Sequence, residues 1–369
     1  MTAESATPNE RLSAHAKWTA LVVLTLGMLV LMLAAAEIAI RVRQAMRYGT
    51  ASTIEETYTV DRKLGLRVPI ANLVKGHISV NSLGFRGPEI AMPKPQGTLR
   101  LAFLGASTTW CAEVSGNDKV WADIVTRSLA RAFPAHRFDY VNGGVPGYTV
   151  AASRKNLELR VAPLAPDIIV IYEGINDLSG ELREVAAAKG VVRTSQVEPA
   201  SWLASYSLLW NLAEKNLRVW IAQRRVERAE TRLLLDAQTM GEGFRRELTG
   251  LVEIAQRQAK RVAVATFSIQ LRAEQSADVQ LRGAASALYY SPFMTPQGII
   301  DAYRRYNEIV REVAAATGAL LIDGENQVPG DPAHFADTVH FTDAGSAAMA
   351  ARVTRALESD PMVQGLVAK

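Results

Sequence analysis

The longest hydrophobic pattern in the chain comes first: Thr19 to Ala36 carries no charge, and the apolar run continues past Glu37 to Ile40. A stretch of that length crosses a bilayer as one helix. A cleaved signal peptide has a shorter apolar core and a small-residue cleavage site, for which Ala34-Ala35-Ala36 would pass. The long core and the arginines after it (Arg41, Arg43 and Arg47) predict instead an uncleaved anchor over residues 18–40, preceded by a tail at 1–17. Glu37 lies near one end, within reach of the interface.

Beyond the anchor, short apolar runs alternate with helical periodicity. Strands are predicted at Arg100–Gly105, Phe138–Asn142, Asp167–Tyr172, Arg261–Phe267 and Ala319–Asp323. Their helical partners include Trp121–Phe133, Ser153–Val161, Phe244–Ala259 and Ile299–Thr317. Alternation of this kind predicts an α/β fold with a five-stranded parallel sheet and helices on both faces. Residues 41–70 are polar and mixed and read as a juxtamembrane connector. Turn chemistry at Asn81–Pro88, then Pro93, Pro95 and Gly97, leads into the first strand. The main domain is expected over 71–357, with a tail at 358–369.

A helical insertion interrupts that domain at 179–241. Trp202, Tyr206, Leu209, Trp210, Ala213, Leu217, Trp220 and Ile221 recur there near helical spacing, with Arg218, Arg224, Arg225 and Arg228 on or near the same segment. Such a stripe suits a helix lying on a membrane surface, or one packed on the domain's own core. A second irregular stretch, Gln270 to Gln297, follows the fourth strand on the ligand side of the sheet and is placed to wall a cleft.

Composition narrows the classes. With 369 residues, 49% hydrophobic and 21% charged, the chain can bury a full core. A net charge of +4 without a basic block interleaved with aromatics gives nucleic-acid binding no support. The single cysteine, Cys111, excludes an intrachain disulfide and any multi-cysteine metal site. No histidine pair at helical spacing accompanies a carboxylate ligand set, so neither a metal nor a cofactor is expected.

The candidate chemistry begins at Leu99–Thr109. A buried strand that stops at Gly105 puts Ser107 at the carboxyl end of a parallel sheet, where open α/β sheets keep their ligands. Ser107 is therefore a candidate nucleophile, or else the cap of the next helix. Cys111, four residues on, reads as a small buried apolar residue. After the second strand comes Asn142-Gly143-Gly144-Val145-Pro146-Gly147, after the third Glu173-Gly174-Ile175-Asn176-Asp177, and near the end Asp337-Thr338-Val339-His340. Together they offer a nucleophile, oxyanion donors, a base and an orienting acid, the needs of acyl transfer.

These blocks resemble those of the SGNH hydrolase family, the GDSL esterases and lipases. Gly105-Ala106-Ser107-Thr108-Thr109 is similar to the family's first block, Asn142-x-Gly144-x-x-Gly147 to its second, Gly174-x-Asn176-Asp177 to its third and Asp337-x-x-His340 to its last. Ala106 stands where the family's first block has an aspartate that is not the triad acid. The resemblance covers roughly Leu99 to Ala350 and implies a flavodoxin-like three-layer α/β/α fold. It also implies Ser107 as nucleophile, His340 as base and Asp337 as its acid. The Ser107 and Gly144 N–H groups with the Asn176 side chain would form the oxyanion hole. Losing one such donor costs ~10²–10³ in turnover. Asp331-Pro332-Ala333-His334 is a second Asp-x-x-His; His340 is preferred because Phe341–Gly345 leads directly into an alanine-rich helix.

The expected activity is hydrolysis of a small acyl ester, O-acetyl foremost, on a glycan or lipid-linked substrate through an acyl-enzyme. An acyltransferase using the same triad, a catalytically silent glycan-binding membrane protein and, from the aromatic stripe alone, a lipase acting on bilayer lipids are the alternatives. Arg11 and Lys17 before the anchor against three arginines after it place the domain in the cytoplasm by charge count. The resemblance points outward, and an extracytoplasmic domain is the expectation carried forward.

Overall fold

A computed structural model of the protein describes residues 14–48, 57–192, 194–195, 201–229, 233 and 235–368. Most of the expected tail and residues 49–56 of the expected connector lie outside these residues, while residues 41–48 continue the first helix. The amino-terminal helix α1 runs Ala14–Tyr48, and its stretch Ala16–Met46 is long and apolar enough to cross a membrane. None of its most apolar window is buried by the rest of the chain.

Five parallel strands form the central sheet: β5 (Thr98–Gly105), β6 (Arg137–Asn142), β7 (Ile168–Tyr172), β8 (Arg261–Ala265) and β9 (Leu320–Ile322). Their order is β6-β5-β7-β8-β9. Every residue of β5 and β7 is buried, as strands covered on both faces require. On one face α3 (Trp121–Ala132) packs on α12 (Asp343–Ser359); on the other, α8 (Glu242–Gln258) packs on both α4 (Val150–Asn156) and α11 (Pro296–Thr317). Trp121, Val125 and Leu129 form the buried stripe of α3, and Trp121 meets Phe103 edge-on with ring centres 5.0 Å apart. The strand order reverses between β5 and its two neighbours, so the loops after β5, β6 and β7 open at one topological switch point. This is the flavodoxin-like three-layer arrangement.

Element boundaries depart from the sequence reading in places with local causes. The helix expected from Ser153 starts at Val150, because the Thr149 hydroxyl accepts from the Ala152 N–H and caps it earlier. Its last turn widens into a π turn at Leu157–Val161. The expected connector 41–70 is folded where it is described: β1 (Tyr58–Asp61) pairs with β2 (Leu66–Pro69), followed by β3 (Val74–Lys75) and β4 (Ile78–Ser79). Leu66 buries against Ala106, Val145 and Tyr148, and Tyr58 lies on Trp110 with ring centres 5.4 Å apart. The alternation there is too short for periodicity to show. The expected tail 358–369 forms α13 (Pro361–Val367), which buries Val363 and is capped by Asp360. Asp360 also pairs with Arg261 at 2.7 Å.

The insertion begins as a core helix, α5 (Ile175–Ala188), with Leu182 and Ala186 buried. Its aromatic part forms α6 (Trp202–Tyr206) and α7 (Leu208–Ala229). The stripe does not pack on the core: Trp202, Tyr206, Trp210, Leu217 and Trp220 are all exposed. The side chains of Arg225 and Arg228 lie outside those described.

Behind the sheet's carboxyl edge, Arg352 on α12 is buried and donates to the carbonyls of Thr266, Ile322 and Gly324 and to the Ser268 hydroxyl. It rivets the ends of β8 and β9. Arg352→Met fills similar volume but leaves those acceptors without donors, so we expect a loss of about 3 kcal/mol. A lowered midpoint in urea unfolding measures it; an unchanged midpoint refutes the rivet.

Candidate active site

Ser107 opens a one-turn helix, α2 (Ser107–Trp110), at the end of β5. As the first helical residue, its N–H has no partner within the helix. Two neighbouring loops hold this turn. The Asn142 amide donates to the Thr109 carbonyl at 3.0 Å while its Oδ1 accepts the Gly144 N–H at 3.0 Å. The Gly143 and Val145 N–H groups bond the carbonyls of Phe103 and Gly105 at 2.7 and 3.1 Å. Gly144 lies so close that a Cβ there would sit 2.7 Å from the Trp110 nitrogen, and one at Gly105 would sit 2.7 Å from the Tyr172 carbonyl oxygen. Glycine is the residue that permits such an approach.

Arg86, from the turn at Asn81–Pro88, grips the other end of α2. It is buried and donates to the carbonyls of Trp110 at 2.8 Å and Cys111 at 2.5 Å, and through Nε to Asn117 Oδ1. A cation at a helix carboxyl terminus meets the negative end of its dipole. Cys111 leaves the helix in the left-handed conformation (φ 56°). Its thiol is buried, points at the Thr108 carbonyl 3.1 Å away, and burial pushes its pKa up to about 12, so it stays a thiol.

The carboxyl-terminal loop supplies the imidazole. His340 Nε2 lies 2.8 Å from Ser107 Oγ, and its Nδ1 lies 2.8 Å from Asp337 Oδ2. Asp337 Oδ1 accepts the N–H groups of Val339 and His340, both at 2.9 Å. Burial works against the Asp337 carboxylate, but the His340 ring and these N–H groups outweigh it and hold its pKa at about 2. An ionised carboxylate only accepts, so Nδ1 carries the proton toward it. The neutral ring then turns its Nε2 lone pair to the serine hydroxyl.

The second Asp-x-x-His folds into the same turn. Asp331 Oδ1 meets His334 Nδ1 at 2.8 Å and accepts the Ala333 and His334 N–H groups. An antiparallel bridge between Phe335 and Phe341 joins the two turns. Only His340 of this pair reaches Ser107. The pattern Asp-x-x-His alone does not separate them; the helix that follows Phe341–Gly345 favours His340, and the fold places that ring against Ser107.

The other proposed oxyanion donors are engaged differently. The Gly144 N–H, taken by Asn142 Oδ1, is not free as the resemblance implied. Asn176, in the first turn of α5, donates one amide hydrogen to the Tyr148 carbonyl at 2.7 Å and retains a second. Ala106, fully buried in the apolar cluster with Leu66, Val145 and Tyr148, occupies a place without room for a solvated carboxylate. No cluster of three His, Cys, Asp or Glu side chains fit to hold a metal occurs among the described residues.

Glu113 was missed by the sequence reading, and nothing in its surroundings there marks it. It follows α2, and its Oε2 is buried with no hydrogen-bond partner among the described residues. Burial raises its pKa, and its charge acts on both His340 and Asp337. Burial opposes the His340 imidazolium, yet the carboxylates of Glu113 and Asp337 prevail and raise its pKa to about 9.

A hydroxyl, an imidazole and a carboxylate in hydrogen-bonded series at the switch point of a flavodoxin-like sheet is the layout of an α/β acylhydrolase. The model of the GDSL-like Lipase/Acylhydrolase family matches residues 103–348, and the chain belongs to that family and is an ester-hydrolysing enzyme. Among solved structures it is similar to LAE5, an alpha/beta hydrolase from the metagenome of Lake Arreo, Spain, at 18% identity and TM-score 0.42, covering 70% of this chain and 94% of that one. It is also similar to Axe2, an acetylxylan esterase from Geobacillus stearothermophilus, at 18% identity and TM-score 0.42, covering 70% and 93%. A lipase/acylhydrolase from Enterococcus faecalis aligns at 19% identity and TM-score 0.41, covering 70% and 95%. No curated protein sequence matches the chain.

With a folded pKa above the free value, the His340 ring is charged at low pH and becomes a base only as pH rises through about 9. An NMR titration of the His340 ring should therefore give a midpoint well above 6.5, and Glu113→Gln should lower it. A midpoint at or below 6.5 contradicts this electrostatic picture.

Proposed function

We propose that the protein is a membrane-anchored serine esterase that removes a small acyl group, acetyl foremost, from a glycan or lipid-linked carrier through an acyl-enzyme. The observation that carries this reading is the series Asp337–His340–Ser107, both of whose links measure 2.8 Å. Ser107 Oγ attacks the ester carbonyl carbon while His340 Nε2 takes its proton, and Asp337 stabilises the imidazolium. The carbonyl oxygen, now negative, is met by the Ser107 N–H and the second amide hydrogen of Asn176. Collapse expels the alcohol, which leaves with the proton from His340, and the acyl group remains on Ser107. Water, deprotonated by the same ring, then releases the acid and restores the serine. Gly144 joins the cradle only where Asn142 Oδ1 lets its N–H go, so it has no part in the resting arrangement.

The helix α1 supports the anchor, and we place the domain on the extracytoplasmic side. The basic flanks differ by one residue, and Arg41 is bound to Glu37 at 2.7 Å and to the Tyr206 carbonyl at 2.9 Å. A small charge bias of this kind is readily overridden by the rest of the chain.

A fluorophosphonate probe should label the wild-type chain and His334→Ala, but neither Ser107→Ala nor His340→Ala. Asp337→Asn should cut turnover of an acetyl ester by ~10⁴. Labelling that survives Ser107→Ala overturns the assignment. For the topology, a reporter active only outside the cytoplasm, fused after Lys369, should be active; a signal from a cytoplasmic reporter there places the domain on the other side.

A further inference from the structure

The helix α7 turns a stripe of large apolar side chains outward. Its half-buried residues are mixed, Leu208, Leu209 and Ile221 beside polar ones: Asn211 donates to the Ala204 carbonyl, and Glu214 accepts from the Ser201 N–H at 3.0 Å and pairs with Arg218 at 2.5 Å. Its exposed face carries Trp210, Ala213, Leu217 and Trp220 at alternating three- and four-residue steps, ending on Arg224, whose guanidinium lies 5.3 Å from the Trp220 ring centre. Trp210 is 47% exposed and Trp220 54%, while Trp202 and Tyr206 on α6 reach 72% and 76%. Isolated exposed apolar residues need no explanation; a continuous aromatic stripe does.

The position of that stripe is set by the anchor. Glu37 on α1 accepts the Leu208 and Leu209 N–H groups at 3.0 and 2.8 Å and the Ser207 hydroxyl at 2.8 Å, so a carboxylate from the anchor caps α7. From Trp18 to Glu37 the anchor rises ~29 Å at ~1.5 Å per residue, the thickness of a bilayer core. Glu37 thus stands at the boundary between hydrocarbon and headgroups on the domain's side. The tryptophans and tyrosine joined to it are at the depth where such rings concentrate.

We propose that α6 and α7 form an interfacial membrane-binding element that lays Trp202, Tyr206, Trp210, Leu217 and Trp220 into the lipid surface, with exposed Lys215 and Arg224 toward anionic headgroups. This rests on α1 being a membrane span. It deepens the functional reading, because α7 also packs on α10 (Ala285–Tyr290), whose Ser286 hydroxyl bonds Thr338 Oγ1 at 2.9 Å. Thr338 lies between Asp337 and His340. The bilayer surface is thereby a wall of the same scaffold that holds the imidazole, and the substrate class favoured is an ester presented at the membrane.

The test uses the full chain in phosphatidylcholine–phosphatidylglycerol vesicles whose acyl chains are brominated close to the headgroup. Tryptophan emission is compared between wild type and a Trp202→Phe, Trp210→Phe, Trp220→Phe variant, which keeps Trp18 in the span and the buried Trp110 and Trp121 in the domain, so the difference between the two reports the three stripe residues and lipid quenching in the variant reports Trp18. Blue-shifted emission quenched by the brominated lipid and lost in the variant is the expected result. Red-shifted, unquenched emission from these three residues overturns the proposal, as does blue-shifted but unquenched emission with a doubled mass, which assigns the stripe to a second copy. Absence of Trp18 quenching instead strikes the span itself, and the two failures are distinct. Glu37→Leu should abolish quenching from α7 while sparing Trp18; unchanged quenching removes the cap from the proposal.

Discussion

The close approach of three loops around one turn of helix is the constraint on which the site depends. At Gly105 and Gly144 the backbone passes its neighbours at distances no side chain allows, and Asn142 bonds both sides of the gap. Arg86 fixes the far end of the turn by taking its carbonyls. The serine's backbone is thus located by main-chain contacts, and its hydroxyl meets the His340 ring. Such rigidity matters because proton transfer to an imidazole tolerates only a fraction of an ångström of misplacement.

Much of this was legible in the chain. The five strands and the glycine-bearing loops after the first three follow from buried apolar runs and their punctuation, while the fourth block, Asp337–His340, is marked by the family resemblance. What stayed hidden was of another kind. The pairs β1–β2 and β3–β4 are too short for a periodic signal, and they exist because Leu66, Tyr58 and Val80 find apolar partners around α2. Arg86 looks like turn material until the fold brings it to the Trp110 carbonyl. Glu113 has no pattern around it at all. The Gly144 N–H was legible as a donor but not its partner, since a side chain two residues back was free to compete for it. The twin turns at Asp331 and Asp337 share the Asp-x-x-His pattern, and only the helix that follows Phe341–Gly345 favours His340 in the sequence, while the fold alone gives its distance to Ser107.

The electrostatics around His340 follow from the same crowding. Two carboxyl groups share the space beside one ring, and burial makes each charge costly, so the three groups titrate as a set. Asp337 keeps its charge because two N–H groups and the ring compensate it, whereas burial raises the pKa of Glu113, one of whose oxygens has no hydrogen-bond partner among the described residues. Ala106 fits this account. Another acid placed beside the serine would add a negative charge where the surroundings offer apolar contacts.

The lone cysteine has a practical meaning. Its sulfur is sealed beneath the serine turn, and its proton is held far above neutral pH. The native chain is therefore close to blank toward maleimides and similar reagents. A single thiol engineered anywhere on the surface would be the one handle a dye or spin label could find, without first mutating the parent sequence.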